Sequence, residues 1–138
     1  MIEEDYVSFE TAKLLKEKGF DERISTVYKS YGELRRLKRY YGICNSDYND
    51  ITKNYFEFTA PTLQMVMEWL RKVHNIHIAI VPCEVGPGVM DYTYILYKID
   101  AKNFIFKDLE IQGRANTDKM SAPKTCEAAI KYCLENLI

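Results

Sequence analysis

From residue 63 the apolar positions Leu63, Val66, Met67, Leu70 and Val73 recur at i, i+3, i+4, i+7 and i+10, which predicts an amphipathic helix. Met65 and Trp69 widen that face by an i, i+4 pair. Thr59-Ala60-Pro61-Thr62 opens it, because proline suits a first turn where its missing N–H has no intrahelical partner, and the cap then falls on Thr59 or Ala60. A second stripe, Cys126, Ala129, Ile130, Cys133, Leu134 and Leu137, follows the similar entry Ser121-Ala122-Pro123. A shorter helix is predicted from Phe9 to Lys18. Ser8 supplies its capping hydroxyl, Gly19 its stop, and Phe9, Ala12 and Leu15 its buried stripe, with Phe20 closing over the last turn.

Between the two longer helices the period changes from 3.6 to 2. Ile76, Ile78 and Ile80 alternate with His77, Ala79 and Val81 until Pro82, which should end that strand. Gly86-Pro87-Gly88 turns the chain into Tyr92-Thr93-Tyr94-Ile95-Leu96-Tyr97-Lys98-Ile99, and Asp100 to Asn103 makes a polar loop before Phe104-Ile105-Phe106-Lys107. These runs predict an antiparallel meander. Arg23 to Tyr28 reads as a further strand, with Asn54 to Phe58 as its partner. Glu33 to Tyr41 holds helix-forming residues between Gly32 and Gly42 but lacks a strong cap, so residues 30–53 are expected to form a mobile, partly helical excursion.

Composition fixes the class. The chain has 138 residues, 47% of them apolar, with 19 Lys+Arg against 20 Asp+Glu, which predicts one near-neutral globular domain able to bury a core without disulfides or metal. Helices flank strands without strict alternation, so the expected fold is α+β, three helices packed on a small, mostly antiparallel sheet. The acidic start, Met1-Ile2-Glu3-Glu4-Asp5, lacks the basic region of a secretory signal, and no apolar run approaches a membrane span; a cytoplasmic location without membrane contact is expected. Cys44, Cys83, Cys126 and Cys133 make no C-x-x-C pair, and Cys126 and Cys133 lie seven apart on one helix, too far along its axis to bridge. Reduced thiols acting as small apolar residues are expected.

Three segments carry a resemblance: Val7 through Phe20, then Ala60-Pro61-Thr62-Leu63-Gln64-Met65 with Trp69-Leu70-Arg71, then Glu127-Ala128-Ala129-Ile130-Lys131-Tyr132 to Leu137-Ile138. As a set they resemble small uncharacterised proteins encoded in phages, prophages and mobile elements of gut bacteria. These segments are helix entries and apolar stripes, so the resemblance implies a shared fold and a mobile-element origin, and it carries over no catalytic residue.

Candidate chemistry is sparse. The only histidines, His74 and His77, straddle the junction from helix to strand, where they need not face the same way, and a metal site there would need Cys83 and Glu84. The one pair of close glycines, Gly86 and Gly88, encloses a proline where a phosphate loop needs N–H donors, and no G-K-[ST] or G-x-S-x-G string occurs. No catalytic residue, cofactor or metal is therefore assigned. Residues 23 to 41 hold six Lys+Arg against one acid, whereas residues 1 to 22 hold three against seven. Arg35, Arg36, Lys38, Arg39, Tyr40 and Tyr41 are the candidate nucleic-acid contacts, cations for phosphate and rings for stacking. With helices on one face of the meander, tyrosines in both registers leave the other face aromatic. Tyr92, Tyr94 and Tyr97 are accordingly candidates for a protein interface, to a partner or to a second copy. The function expected from these features is a non-enzymatic protein-interaction or accessory protein, with a nucleic-acid-binding module using residues 35–41 as the alternative.

Overall fold

A computed structural model of the chain describes residues 2–29, 32–37, 42–49, 57–115 and 121–138. It shows three helices and two antiparallel three-stranded sheets, an α+β fold. The chain divides into two compact units, Met1–Thr62 and Leu63–Ile138. Strands expected to share one sheet thus form two.

In the first unit, helix α1 (Phe9–Glu17) starts where Ser8 accepts a hydrogen bond from the Thr11 amide at 3.3 Å. Strand β1 (Thr26–Tyr28) lies between β2 (Leu34–Arg36) and β3 (Phe58–Thr59), both antiparallel to it. The expectation of helix across Glu33 to Tyr41 is corrected at Leu34–Arg36. There the backbone pairs with β1 from Thr26↔Arg36 to Tyr28↔Leu34, and strand pairing overrides the local propensity. The rest of the expected excursion is described only at 32–37 and 42–49; residues 30–31, 38–41 and 50–53 lie outside the described residues. The core holds Val7, Ala12, Leu15, Phe20, Ile24, Val27 and Ile43. Phe9 packs edge-on against Tyr28 with centroids 5.5 Å apart, and the Tyr28 hydroxyl donates to the Val7 carbonyl at 2.5 Å. Buried Asn45, at the head of a short 3-10 turn (Asn45–Asn49), donates through Nδ2 to the Phe20 carbonyl at 2.7 Å and accepts from the Thr59 amide at 2.9 Å.

In the second unit, helix α2 (Leu63–His74) starts two or three residues later than a cap at Ala60 or Thr59 would place it. Those residues are committed elsewhere: Thr59 pairs with Val27, and the Ala60 amide donates to the Thr26 carbonyl. Val73, expected on the buried stripe, is 54% exposed, because an i+10 position rotates to the stripe's margin. Asn75, with φ 57, turns α2 straight into β4 (Ile76–Gly86). β5 (Val89–Asp100) and β6 (Ile105–Gly113) complete a meander in the order β4-β5-β6. Pro82 does not end β4. It pairs with Tyr92 on an edge strand, where proline forfeits no ladder bond on the solvent side. Gly88 at φ 70 after Pro87 supplies the left-handed residue that the β4–β5 turn requires. Helix α3 (Ala122–Asn136) is capped by Ser121, whose side chain accepts from the Lys124 amide. Both helices pack on one face of the sheet, over buried Ile76, Ile78, Tyr94 and Leu96.

Candidate docking face on the second sheet

Residues paired directly across an antiparallel ladder point to the same side. From His77↔Tyr97, Ala79↔Ile95, Val81↔Thr93, Ile95↔Gln112, Tyr97↔Asp108 and Ile99↔Phe106, the face opposite the helices carries His77, Ala79, Val81, Ile95, Tyr97, Ile99 and Phe106, with Thr93, Asp108 and Gln112 as its polar members. Most of these side chains are half-buried by one another, and Phe106 is 70% exposed. At one end of this face a groove of roughly 640 Å³ is lined by His77, Tyr97, Ile99 and the turn and strand residues from Asp100 to Phe106 that face it. Tyr97 and Phe106 meet edge to face at 5.6 Å, and the His77 ring lies 6.2 Å from Tyr97. Burial, and then the charge of Arg71, hold the His77 imidazole below the usual histidine range, so near neutral pH it adds to an uncharged wall.

The groove's outer rim is set by the β5–β6 turn. The Asp100 carboxylate accepts from the Asn103 side chain at 2.7 Å and from the amides of Lys102 and Asn103. The Asn103 side-chain bond does most to keep its pKa below the ordinary carboxylate value. Asn103 is followed by Phe104, at φ 54 and 95% exposed. Farther along β6 a register shift between Ile95 and Tyr97 leaves Glu110 at φ 57, its amide donating to Asp108 at 2.7 Å.

Of the three tyrosines expected at an interface, Tyr97 lies on this face. Tyr94 is 7% exposed on the opposite side, its ring centroid 6.3 Å from that of Tyr132 on α3. Burial raises its phenol pKa, and it belongs to the core. Tyr92, paired with Pro82, shares the Tyr94 register and is half-buried. Phe104, Ile105 and Phe106 are exposed apolar residues lining the groove that alternation missed. Three consecutive apolar residues beside a polar loop are the signal, since whichever register faces inward the other is left outside.

The basic segment is placed only in part. Arg35 and Arg36 are exposed on β2, where neighbouring residues point to opposite sides, and Arg35 pairs with Glu33 at 2.8 Å. Lys38, Arg39, Tyr40 and Tyr41 lie outside the described residues. The histidines are separated by role: His74 stacks edge-on against Trp69 at 4.7 Å, whereas His77 lines the groove. All four cysteines are unbridged. Among the described residues, no three His, Cys, Asp or Glu side chains are grouped as a metal site, and no helix is long and apolar enough to cross a membrane. No family model, no curated protein and no solved structure matches the chain.

Proposed function

We propose that this chain is a small non-enzymatic protein-interaction or accessory protein of a phage or mobile element, working in the cytoplasm through the uncovered face of its second sheet. The observation that carries the reading is the contiguous apolar surface running from Val81 and Ile95 through Tyr97 and Ile99 to Phe106. Surfaces of this kind on small proteins mark places where other molecules dock, and mixed aromatic and aliphatic side chains are the material of interface centres. The mobile-element setting rests on the three segments quoted from the sequence.

The docking is by side chains on the face, because both sheet edges are unsuited to strand addition. β4 carries Pro82, and β6 is bent by its bulge and studded with Lys107, Asp108 and Glu110.

A photo-crosslinking residue placed at Tyr97, in cells that naturally carry the protein, tests the reading against the same probe at Lys124, exposed on α3. A discrete protein adduct from position 97 that is absent from 124 supports it. Equal labelling from both positions, or none from 97, overturns it. Adducts that form instead from Arg36 and vanish on nuclease treatment would transfer the function to the basic segment.

A further inference from the structure

Among the described residues, the first sheet ends in an uncovered edge. β2 pairs with β1 on one side only, and Leu34, Arg35 and Arg36 are all exposed. The hydrogen bonds fix which of its backbone groups face outward. The Leu37 amide donates to the Ser25 carbonyl at 2.6 Å and the Lys29 amide to the Glu33 carbonyl at 2.8 Å, so in this register Val27 and Arg35 form the intervening hydrogen-bonded pair. Leu34 and Arg36 therefore turn their N–H and C=O groups away from β1, and among the described residues these groups find no partner. Neither a proline nor a register shift closes this edge, as they do in the second sheet. The side chains select what can add to it. Arg35 lies on one face of the strand, Leu34 and Arg36 on the other. Arg36 forms no ion pair among the described residues, and Arg35 pairs only with the exposed neighbour Glu33, a contact of little energy. Full overlap of two β2 edges about a two-fold axis would set Arg35 opposite Arg35, and like charges across a ladder repel. A strand of opposite charge is complementary, and residues 23 to 41, with six Lys+Arg against one acid, add to its attraction.

We infer that the free edge of β2 docks an extended acidic peptide segment of a partner protein, added antiparallel as a fourth strand, with acidic side chains opposite Arg36 and Arg35 and an apolar one opposite Leu34. Read along the partner, the motif is acidic, acidic, apolar. The orientation follows the sheet, whose existing pairs are both antiparallel, the slightly stronger arrangement. The backbone chooses a peptide over a nucleic acid. Outward N–H and C=O groups offer donors and acceptors together, which a second peptide backbone matches and a row of phosphates, acceptors only, does not. The shortness of β2 limits the main-chain bonds to those of Leu34 and Arg36, so the two arginines supply selectivity as well as affinity. This contact is independent of the docking face on the second sheet and stands or falls without it.

Fluorescence anisotropy of the purified chain with the labelled peptide Thr-Val-Thr-Glu-Glu-Val-Thr-Val-Thr is the test. The peptide should bind, more weakly as salt rises, and its counterpart with lysine at both glutamates should not. N-methylation reads the geometry, since only the residues opposite Arg36 and Leu34 donate into β2. A methyl on the first glutamate, or on the valine after the second, should weaken binding by roughly tenfold or more, as loss of a main-chain bond at the edge does. A methyl on the second glutamate, whose N–H points away, should be tolerated. Arg36→Glu should weaken binding of the acidic peptide while keeping the circular dichroism spectrum and melting temperature of the parent, because Arg36 is exposed. Failure of the acidic peptide to bind overturns the inference, as does binding that ignores every methyl or loses equally to all three. A single-stranded oligonucleotide that binds where the peptide does not would overturn it in favour of nucleic acid.

Discussion

Tyr94 and Gly113 face each other across the β5–β6 ladder, and the tyrosine ring occupies the space in which a side chain at 113 would stand. A methyl group there would collide with the phenol oxygen and with two ring carbons. The glycine thus lets a large aromatic lie flat across the end of an edge strand.

Gly113→Ala should therefore force the Tyr94 ring out of its rotamer and destabilise the fold by about 1–3 kcal/mol, the usual cost of overpacking. Urea denaturation measures this directly. In a Tyr94→Leu background the same glycine substitution should cost much less, and strict additivity of the two changes would show that the ring is not the obstacle.

Asn45 joins two segments of the first unit through buried hydrogen bonds to the Phe20 carbonyl and the Thr59 amide. Asn45→Ala leaves both backbone groups without partners and should lower stability by roughly 2–3 kcal/mol. Asn45→Asp keeps an acceptor for Thr59 but sets a buried carboxylate oxygen against the Phe20 carbonyl, and should cost at least as much as the alanine change. Faster hydrogen exchange at the Thr59 amide in the alanine variant would place the loss at this clamp.

The two histidines make stability depend on pH. His74 is held below its ordinary pKa of 6.5 by burial and then by Lys98; for His77 the causes are burial and then Arg71. The unfolded chain consequently binds protons that the folded chain resists, and stability rises with pH through that window. Full stability is expected above about pH 6.5 and should decline as pH falls through the folded values. His74→Gln should flatten the decline, with the fluorescence of Trp69, the single tryptophan and the ring against which His74 packs, as the readout. A pH profile unchanged by replacing both histidines would refute the assignment.

Cys133 is fully buried on α3, and burial pushes its thiol pKa up to about 12. Cys126 is also buried, and its thiol donates to the Met67 sulfur at 3.2 Å. Both should resist a thiol reagent in the native protein and react once it is denatured, with half-buried Cys83 modified before either. Mass mapping of the labelled cysteines gives the order, and native labelling of Cys133 ahead of Cys83 would contradict it.

The legible parts of this fold are those where one local signal was enough. Ser8 caps the helix it was expected to cap, helix α3 begins at the expected Ser121-Ala122-Pro123 entry, and the stripe from Cys126 to Leu134 faces the core. The meander followed from its alternating residues and its glycine turn. Thr59 shows the limit: its neighbourhood reads as a helix entry, yet its backbone is claimed by Val27, thirty-two positions earlier in the chain, and nothing local reports such a partner. The same holds for Leu34 to Arg36, good helix formers drawn into a strand by β1. Alternation separated Tyr94 from Tyr97 but did not say which side the helices would take. That choice decided which tyrosine could reach a partner.

The two sheets differ in how far the chain must reach to build them. Each strand of the meander joins its sequence neighbour through a turn of two to four residues, Pro87-Gly88 and Ala101 to Phe104, so its contacts are local and the entropy of closing them is small. The first sheet has to bring Phe58 back to Tyr28 across the whole stretch between them. On a ribosome the two sheets are completed in different ways. The N-terminal sheet must wait for its last strand to emerge, while the meander that follows can zip as fast as it is made.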